Sequence, residues 1–494
     1  MNEGAIGKKV VAGTAWMVAA RWCMRGIGLV STIILARLLT PADFGIVAIA
    51  MIVVGLVEVF SQTGLAQSLI RHPDPTDDHF NTVFTLQVLT GFIIGAALYL
   101  VAPFGADYFD DPRVTLVVQI LALRTIIQGF ENPGIIWFRK NMEFDKDFRY
   151  MVWRKFIRFF VVVILAFILR NYWALVLALV SAKIIAVAIS YVMHPFRPRF
   201  SLSKIADVWS YSIWMLVVHI GHFLNNRIDE IIIGGVINTT SVGYYNVAKD
   251  LASSPTQELV VPISRVLFSA YSKMMHATKE LSDPFLKSFS SIAIICFATG
   301  GGISLVVEDM VLVVLGDQWQ ASIAPMFWIA LSAVVFALSS NMSQLLSVLG
   351  KVKTASALSW VRVLGLVPAL YFAALTGDLE NVSIGRFIVL TGLFLPTIPI
   401  FSHATGIAWH RIILCLWRPA LAFAVMALAV WPIDGFLLEP SALRLLTKVS
   451  IGAIAYSGTI YALWVGTGRP DGLETTVDST LKRLVSRIPT IWKK

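Results

Sequence analysis

Long apolar stretches recur from one end of this chain to the other, and that recurrence limits the fold before any single residue is weighed. A helix needs about 20 predominantly apolar residues to cross a hydrocarbon core about 30 Å thick. Fourteen windows qualify, roughly 10–39, 43–70, 81–103, 114–133, 152–169, 173–193, 208–237, 241–271, 288–307, 322–349, 355–376, 384–402, 411–431 and 445–466. Unbroken apolar runs of this length have to satisfy their own backbone groups inside lipid, which makes them helices. The expected fold is an all-α integral membrane protein of about 14 transmembrane helices. Of the 494 residues 57% are apolar and 14% charged, with a mean hydropathy of +0.75, so little chain is left for a soluble catalytic domain. The first window is interrupted by Arg21 and Arg25 and is too long for a cleaved signal peptide. Glu308 and Asp309 leave 288–315 open between one long helix and a helix followed by a re-entrant turn.

Basic residues gather in alternate connections. Arg139, Lys140, Lys146, Arg149, Arg154 and Lys155 fall in one, then Arg197, Arg199 and Lys204, then Lys273 and Lys279, then Lys351 and Lys353. The opposite connections carry Asp107, Asp110 and Asp111, then Glu308, Asp309 and Asp317, then Asp378 and Glu380, with Arg113 and Arg444 as single basic residues. Positive charge marks the cytoplasmic side, so both termini are expected there. The net charge of +10 is first this topology signal, and nucleic acid is not an expected partner. Basic residues interleaved with apolar ones over 473–494 predict an amphipathic helix on the anionic inner leaflet. Outer loops of at most about fifteen residues offer no platform for a polymerase or ligase active site. Cys23, Cys296 and Cys415 are odd in number and widely spaced, and read as small core residues.

A shift of 198 residues lays Ile33–Gly45 over Ile231–Gly243, each an apolar helix end, a short polar turn and a glycine opening the next helix. Both copies start from the same side, which predicts two parallel six-helix lobes over 1–200 and 201–403, two further helices over 404–470, and a basic tail over 471–494. Parallel repeats of this kind are transporter architecture. The sequon Asn238-Thr239-Thr240 reads more simply as the turn of the second copy.

Ionisable residues inside spans normally face a wet cavity or a partner. Arg21 and Arg25 are four apart on the first helix, with Gly28 and Thr32 continuing their stripe. Arg124 and Lys183 each fall about 15 Å from the nearer end of their windows. Glu58, Gln62 and Glu131 are possible partners, but two carboxylates are too few to neutralise these four cations, so an anion site is expected. Arg227 and Arg362 extend the set, with Arg227 able to pair with Glu230 three residues on. Glu58 and Asp229 are either coupling carboxylates for a proton or Na⁺ or structural partners of nearby cations, and His219 and His222 either sense pH or pack. Arg265 and Lys448 lie near helix ends, where snorkelling accounts for them. No Walker sequence, nucleophile elbow or metal-ligand spacing occurs, and no cofactor is expected.

Ala36-Arg37-Leu38-Leu39-Thr40-Pro41-Ala42-Asp43-Phe44-Gly45 followed by Gly64-Leu65-Ala66-Gln67-Ser68-Leu69-Ile70-Arg71 resembles the opening of bacterial polysaccharide exporters of the Wzx type, especially the branch typified by the colanic acid exporter. The resemblance continues through Asn132-Pro133, Phe138–Phe144, Asp229–Gly234 and Gly243–Ala248, and covers about the first 275 residues. It implies membership of the multidrug/oligosaccharidyl-lipid/polysaccharide superfamily, with two lobes like those of its drug exporters and its lipid II flippase, in a bacterial inner membrane. It also implies a cargo of undecaprenyl-pyrophosphate-linked oligosaccharide flipped by alternating access. Arg21 and Arg25 are similar in place and type to essential first-helix arginines of the lipid II flippase. Membrane lipid and polysaccharide synthesis proteins are the further partners implied, and a monomer is expected. A cation or drug antiporter of the same superfamily would need acidic cavity residues. A membrane polymerase or ligase would need the outer loop that is missing, and a scaffold would not need buried arginines.

Overall fold

The computed structural model describes residues 3–61, 65–141, 143–205, 213–273, 281–437, 439–470, 472–475 and 478, and among them all regular elements are helices. The first ten are α1 (Glu3–Leu38), α2 (Pro41–Glu58), α3 (Leu65–Arg71), α4 (Asp77–Tyr108), α5 (Arg113–Gly129), α6 (Ile136–Lys140), α7 (Phe144–Leu169), α8 (Trp173–Met193), α9 (Ile213–Val236) and α10 (Thr239–Lys273). After them come α11 (Ser282–Cys296), α12 (Gly302–Asp309), α13 (Ile323–Val348), α14 (Val352–Ala374), α15 (Leu379–Thr405), α16 (Trp409–Leu414), α17 (Trp417–Val430), α18 (Ile433–Phe436) and α19 (Ala442–Gly466). Each of the fourteen windows holds a helix. Among the described residues, nine helical stretches are long and apolar enough to cross a membrane, or ten if the bent pair Arg113–Gly129 and Pro133–Lys140 is one span. Helix α7 is not among the nine, since Arg154, Lys155 and Arg158 interrupt its apolar stretch and leave only residues 159–169 free of charge. The open stretch resolves as one helical span, Ser282–Leu315, with π-helical turns at Phe297–Gly301 and Met310–Leu315.

The helices gather into two compact units, Met1–Asn246 and Val247–Lys494. In the first unit the two copies of the repeat stop and restart their helices at equivalent residues, α1 and α9 ending at Leu38 and Val236, α2 and α10 beginning at Pro41 and Thr239. The caps are equivalent as well. Asp43 N donates to Thr40 Oγ1 at 3.3 Å, and Ser241 N donates to Asn238 Oδ1 at 2.8 Å, each satisfying an orphan donor of the first turn. Asn238 is thus a helix cap, as the turn reading of the sequon expects.

The two starts also press on each other. A Cβ at Gly45 would sit 2.0 Å from the Thr239 carbonyl oxygen, and one at Gly243 would sit 1.9 Å from that of Pro41, the same contact with the copies exchanged. Only residues without a side chain let two helix backbones approach so closely. Around this crossing, Tyr172 N donates to Asp43 Oδ1 at 2.8 Å and Thr239 Oγ1 to Asp111 Oδ2 at 3.0 Å. Burial pushes the Asp111 carboxyl up, but hydrogen bonds from Arg113 and Thr239 and the Arg113 charge outweigh it and hold the group below its ordinary value.

In the second unit α13, α11 and α15 pack around Phe285, Phe289 and Phe401. The outermost helices are tied in by ions rather than by snorkelling side chains, which corrects the expectation for Lys448. It is 2% exposed, and its Nζ lies 2.7 Å from Asp309, itself fully buried. Arg444 Nε lies 3.2 Å from Asp309 and its Nη2 3.0 Å from Glu308, and Asp434 bridges both cations. Glu308, Asp309 and Arg444, read from sequence as loop charges, are therefore one partly buried network that clamps α19 onto α12. Lys448→Met is expected to cost about 3 kcal/mol by leaving buried carboxylate charge under-compensated, measured as unfolding of the purified protein in detergent. Cys296 is buried as expected and Cys415 half-buried, but Cys23 is exposed on α1 and is not a core residue. Lys279, Gln62, the Arg265 side chain and the basic tail from 479 lie outside the described residues.

Candidate anion-binding site

Two of the expected cations of the first unit, Arg124 and Lys183, come together from α5 and α8. Arg124 Nη1 lies 3.1 Å from Glu58 Oε1, which also accepts from Thr125 Oγ1 at 3.0 Å. Lys183, ten residues from either end of α8 and so about 15 Å deep, lies in the field of Glu131, Arg124, Arg154 and Glu58. Arg124 sits closer to a helix end than expected, because α5 stops at Gly129, about 8 Å beyond it.

Three residues that sequence reading left out complete the cluster. Arg154, expected in a loop, is on α7, which begins at Phe144 rather than near 152; its Nη1 lies 3.3 Å from Glu131 Oε1 and its guanidinium stands 4.8 Å from the Tyr150 ring centre. Glu131 also accepts a short hydrogen bond from the Tyr150 hydroxyl. Arg158 is reached by the Arg124 charge, and Lys155, likewise expected in the loop, meets α1, since a Cβ at Gly28 would lie 3.6 Å from its Nζ. Arg154 and Arg158 repeat the four-residue spacing of Arg21 and Arg25, a signal available in the sequence but masked by counting Arg154 as a topology charge.

Helix α1 runs beside this cluster at Gly28. Arg25 and Arg21 precede Gly28 by three and seven residues, on the stripe that Gly28 turns toward α7. On α5, α7 and α8 five cations, Arg124, Arg154, Lys155, Arg158 and Lys183, meet two carboxylates, Glu58 and Glu131. Among the described residues that is a surplus of three positive charges on packed helices, before α1 is counted, and a candidate place for an anion.

The remaining expected residues fall elsewhere. Arg227 pairs with Glu230, as its spacing allowed, and Asp229 and Glu230 are fully buried. Asn226 donates to the His222 carbonyl at 2.7 Å. Arg362 belongs to the second unit, where the Arg386 charge acts on it. Arg124→Gln and Glu58→Gln are each expected to cost about 3 kcal/mol of stability, and the double variant less than their sum by about 1–3 kcal/mol, read from detergent unfolding curves. A double variant as unstable as that sum would show that the pair does not couple.

Fold and site together define a multi-pass helical membrane protein with a basic interior, built from a duplicated helix motif. Residues 34–324 match the family described as "Polysaccharide biosynthesis protein", more than half of the chain, and the chain belongs to that family. Among curated relatives, Lipopolysaccharide biosynthesis protein WzxC of Escherichia coli (strain K12) is 22% identical over 424 residues, covering 84% of this chain and 85% of that one. Succinoglycan biosynthesis transport protein ExoT of Rhizobium meliloti (strain 1021) is 24% identical over 469 residues, 92% of this chain and 94% of its own length. Among solved structures, the lipid II flippase MurJ in an inward closed conformation superposes with a TM-score of 0.73 at 11% identity, covering 92% of this chain and 99% of that one. An inward-facing multidrug resistance transporter of the MATE family follows at 0.55 and 15% identity, with 79% and 99% covered. The fold is the expected one, shared with the lipid II flippase and the MATE transporter.

Proposed function

We propose that this chain flips an undecaprenyl-pyrophosphate-linked oligosaccharide across a bacterial inner membrane by alternating access, as a transporter and not an enzyme. The observation that carries the reading is the basic cluster of the first unit, five cations on α5, α7 and α8, to which we add Arg21 and Arg25 from the stripe of α1 that they share with Gly28. Pyrophosphate is a compact multivalent oxyanion. Guanidinium forks bind it bidentately and keep their charge in a low dielectric. The names of the relatives support the same cargo class, one a lipopolysaccharide biosynthesis protein and one a succinoglycan transport protein, and the fold is that of a lipid II flippase.

In this reading both termini are cytoplasmic, the protein works as a monomer, and polysaccharide synthesis proteins supply its cargo. Glu58, held by Arg124, and buried Asp229 are the carboxylates proposed to exchange a proton or Na⁺ during the cycle. A drug or cation antiporter would need a site of the opposite charge.

The test is to delete the gene in its host and follow both lipid-linked repeat units and drug susceptibility. Repeat units should accumulate on the cytoplasmic face, accessible to a glycosidase only after the membrane is broken, and complementation should clear them. Normal glycan export with a changed susceptibility to cationic drugs would replace this reading by the antiporter.

A further inference from the structure

We infer that the connection 194–205, after α8, is a wedge that enters the membrane interface, with Phe200 and Leu202 among the acyl chains and Arg199 and Lys204 on the phosphates of anionic lipid. The inference does not depend on the proposed cargo, but which leaflet it names rests on the proposed function, which places the basic connections in the cytoplasm.

Residues 194–202 form no regular element, yet the connection is tied to the start of α4 at three backbone amides. Arg199 N donates to Asn81 Oδ1 at 2.7 Å, Ser201 N to Thr85 Oγ1 at 2.9 Å and Lys204 N to Thr82 Oγ1 at 3.2 Å. Each threonine hydroxyl gives its own proton to the carbonyl one turn back, Thr82 to Asp78 and Thr85 to Asn81, so its oxygen is left to accept. Asn81 and Thr82 stand at the start of the apolar window 81–103, and Thr85 about 5 Å further in. The chain therefore dips between Arg199 and Ser201 and has returned by Lys204. At the tip Phe200 meets Phe84, ring centres 5.4 Å apart, yet it is 68% exposed, with Leu202 at 45% and Ile205 at 42%.

A loop standing in water needs no acceptors from a spanning helix, because water serves its amides; in lipid each amide must be met by protein. Here the amides turn inward onto polar side chains at the edge of an apolar span while apolar side chains turn outward, the pattern of a segment lying in the interface. The charges fit the same place. Arg199 and Lys204 are tied at the shallower level of Asn81 and Thr82, and among the described residues no carboxylate pairs with their side chains. Asp77 and Asp78 lie in the first turn of α4, about 6 Å further toward water. Arg197 is already engaged, its Nη1 donating to the carbonyls of His194 and Phe196 at 2.8 and 3.0 Å. Two cations flanking an apolar tip at headgroup depth complement a phosphate-bearing anionic surface. A protein partner would cover the apolar side chains as well, but would not call for amides turned onto a spanning helix.

The experiment places an environment-sensitive fluorophore on Phe200→Cys or Leu202→Cys in full-length protein carrying Cys23→Ser and Cys415→Ala, reconstituted in phosphatidylcholine vesicles. The quenchers are spin-labelled phosphatidylcholine, spin-labelled phosphatidylglycerol and aqueous iodide. Labels at 200 and 202 should be quenched by both lipids and shielded from iodide, and a label on Asp74→Cys, at an exposed position ahead of α4, should show the reverse. The apparent affinity for the phosphatidylglycerol quencher should exceed that for phosphatidylcholine about fivefold or more, and Arg199→Gln with Lys204→Gln should bring the two together while lipid quenching persists. Labels at 200 and 202 that iodide reaches as freely as the one at 74 overturn the wedge and make the patch a face for protein. Equal affinity for the two lipids with both cations present, or a preference that survives the Gln pair, overturns the phosphate contact. None of these readouts involves transport, so the flippase reading stands or falls separately.

Discussion

Gly45→Ala and Gly243→Ala are each expected to remove the folded protein from the membrane, with a loss of about 3 kcal/mol or more and no export. The atom each new methyl meets is a backbone carbonyl oxygen on the neighbouring helix, at 2.0 and 1.9 Å, so no rotamer change relieves it. The helices would have to separate by more than 1 Å. They are not free to do so: the Thr40 and Asn238 caps fix both helix starts, Asp43 is held by Tyr172 N, and Thr239 by Asp111. Gly26→Ala is the matched control, on α1 with no atom within 4 Å of the added carbon, and should fold and export normally. Size-exclusion profiles of fluorescent fusions in detergent, at equal synthesis, read the outcome. Wild-type profiles for both alanine variants would mean that the crossing opens without cost and does not hold the first unit together.

That crossing was legible as a pattern but not as a contact. The 198-residue shift aligns few identical residues, and what the two copies share is chemical role: a capping oxygen at Thr40 and Asn238, and a glycine five residues on. Apolar runs likewise marked where helices lie, although only nine or ten of the described stretches are long and apolar enough to cross a membrane. Where charge enters a helix the same logic misleads. Arg154 and Lys155 looked like loop residues because a positive charge near a span end is the usual topology mark. They are helical because Glu131 and the neighbouring cluster provide an environment that hydropathy does not record. Lys448 and Asp309, 139 residues apart, fail for a similar reason, since a partner that far along the chain leaves no local trace. Glu131 was visible as a candidate partner of the cations, yet which of them it would hold was not.

Replacing Arg21 and Arg25 together by alanine is expected to lower glycan export at least about a hundredfold at matched membrane expression, whereas the double lysine variant should retain part of it. Two charge-assisted contacts to a phosphate, each worth about 1.5–3 kcal/mol, account for a factor of that size. Lysine keeps the field but offers a point charge in place of a planar fork, so it should hold the anion with poorer geometry. The lysine pair also separates roles. If the arginines merely stabilise α1 against α7, alanine should cost stability, and lysine, which cannot reproduce the hydrogen bonds, should cost nearly as much of it. If they hold the cargo, both variants should unfold near the wild-type temperature while lipid-linked repeat units collect on the cytoplasmic face in the alanine pair. Normal export by the alanine pair would move the anion site onto α5, α7 and α8 alone, where Arg124, Arg154, Arg158 and Lys183 would be the next to be neutralised.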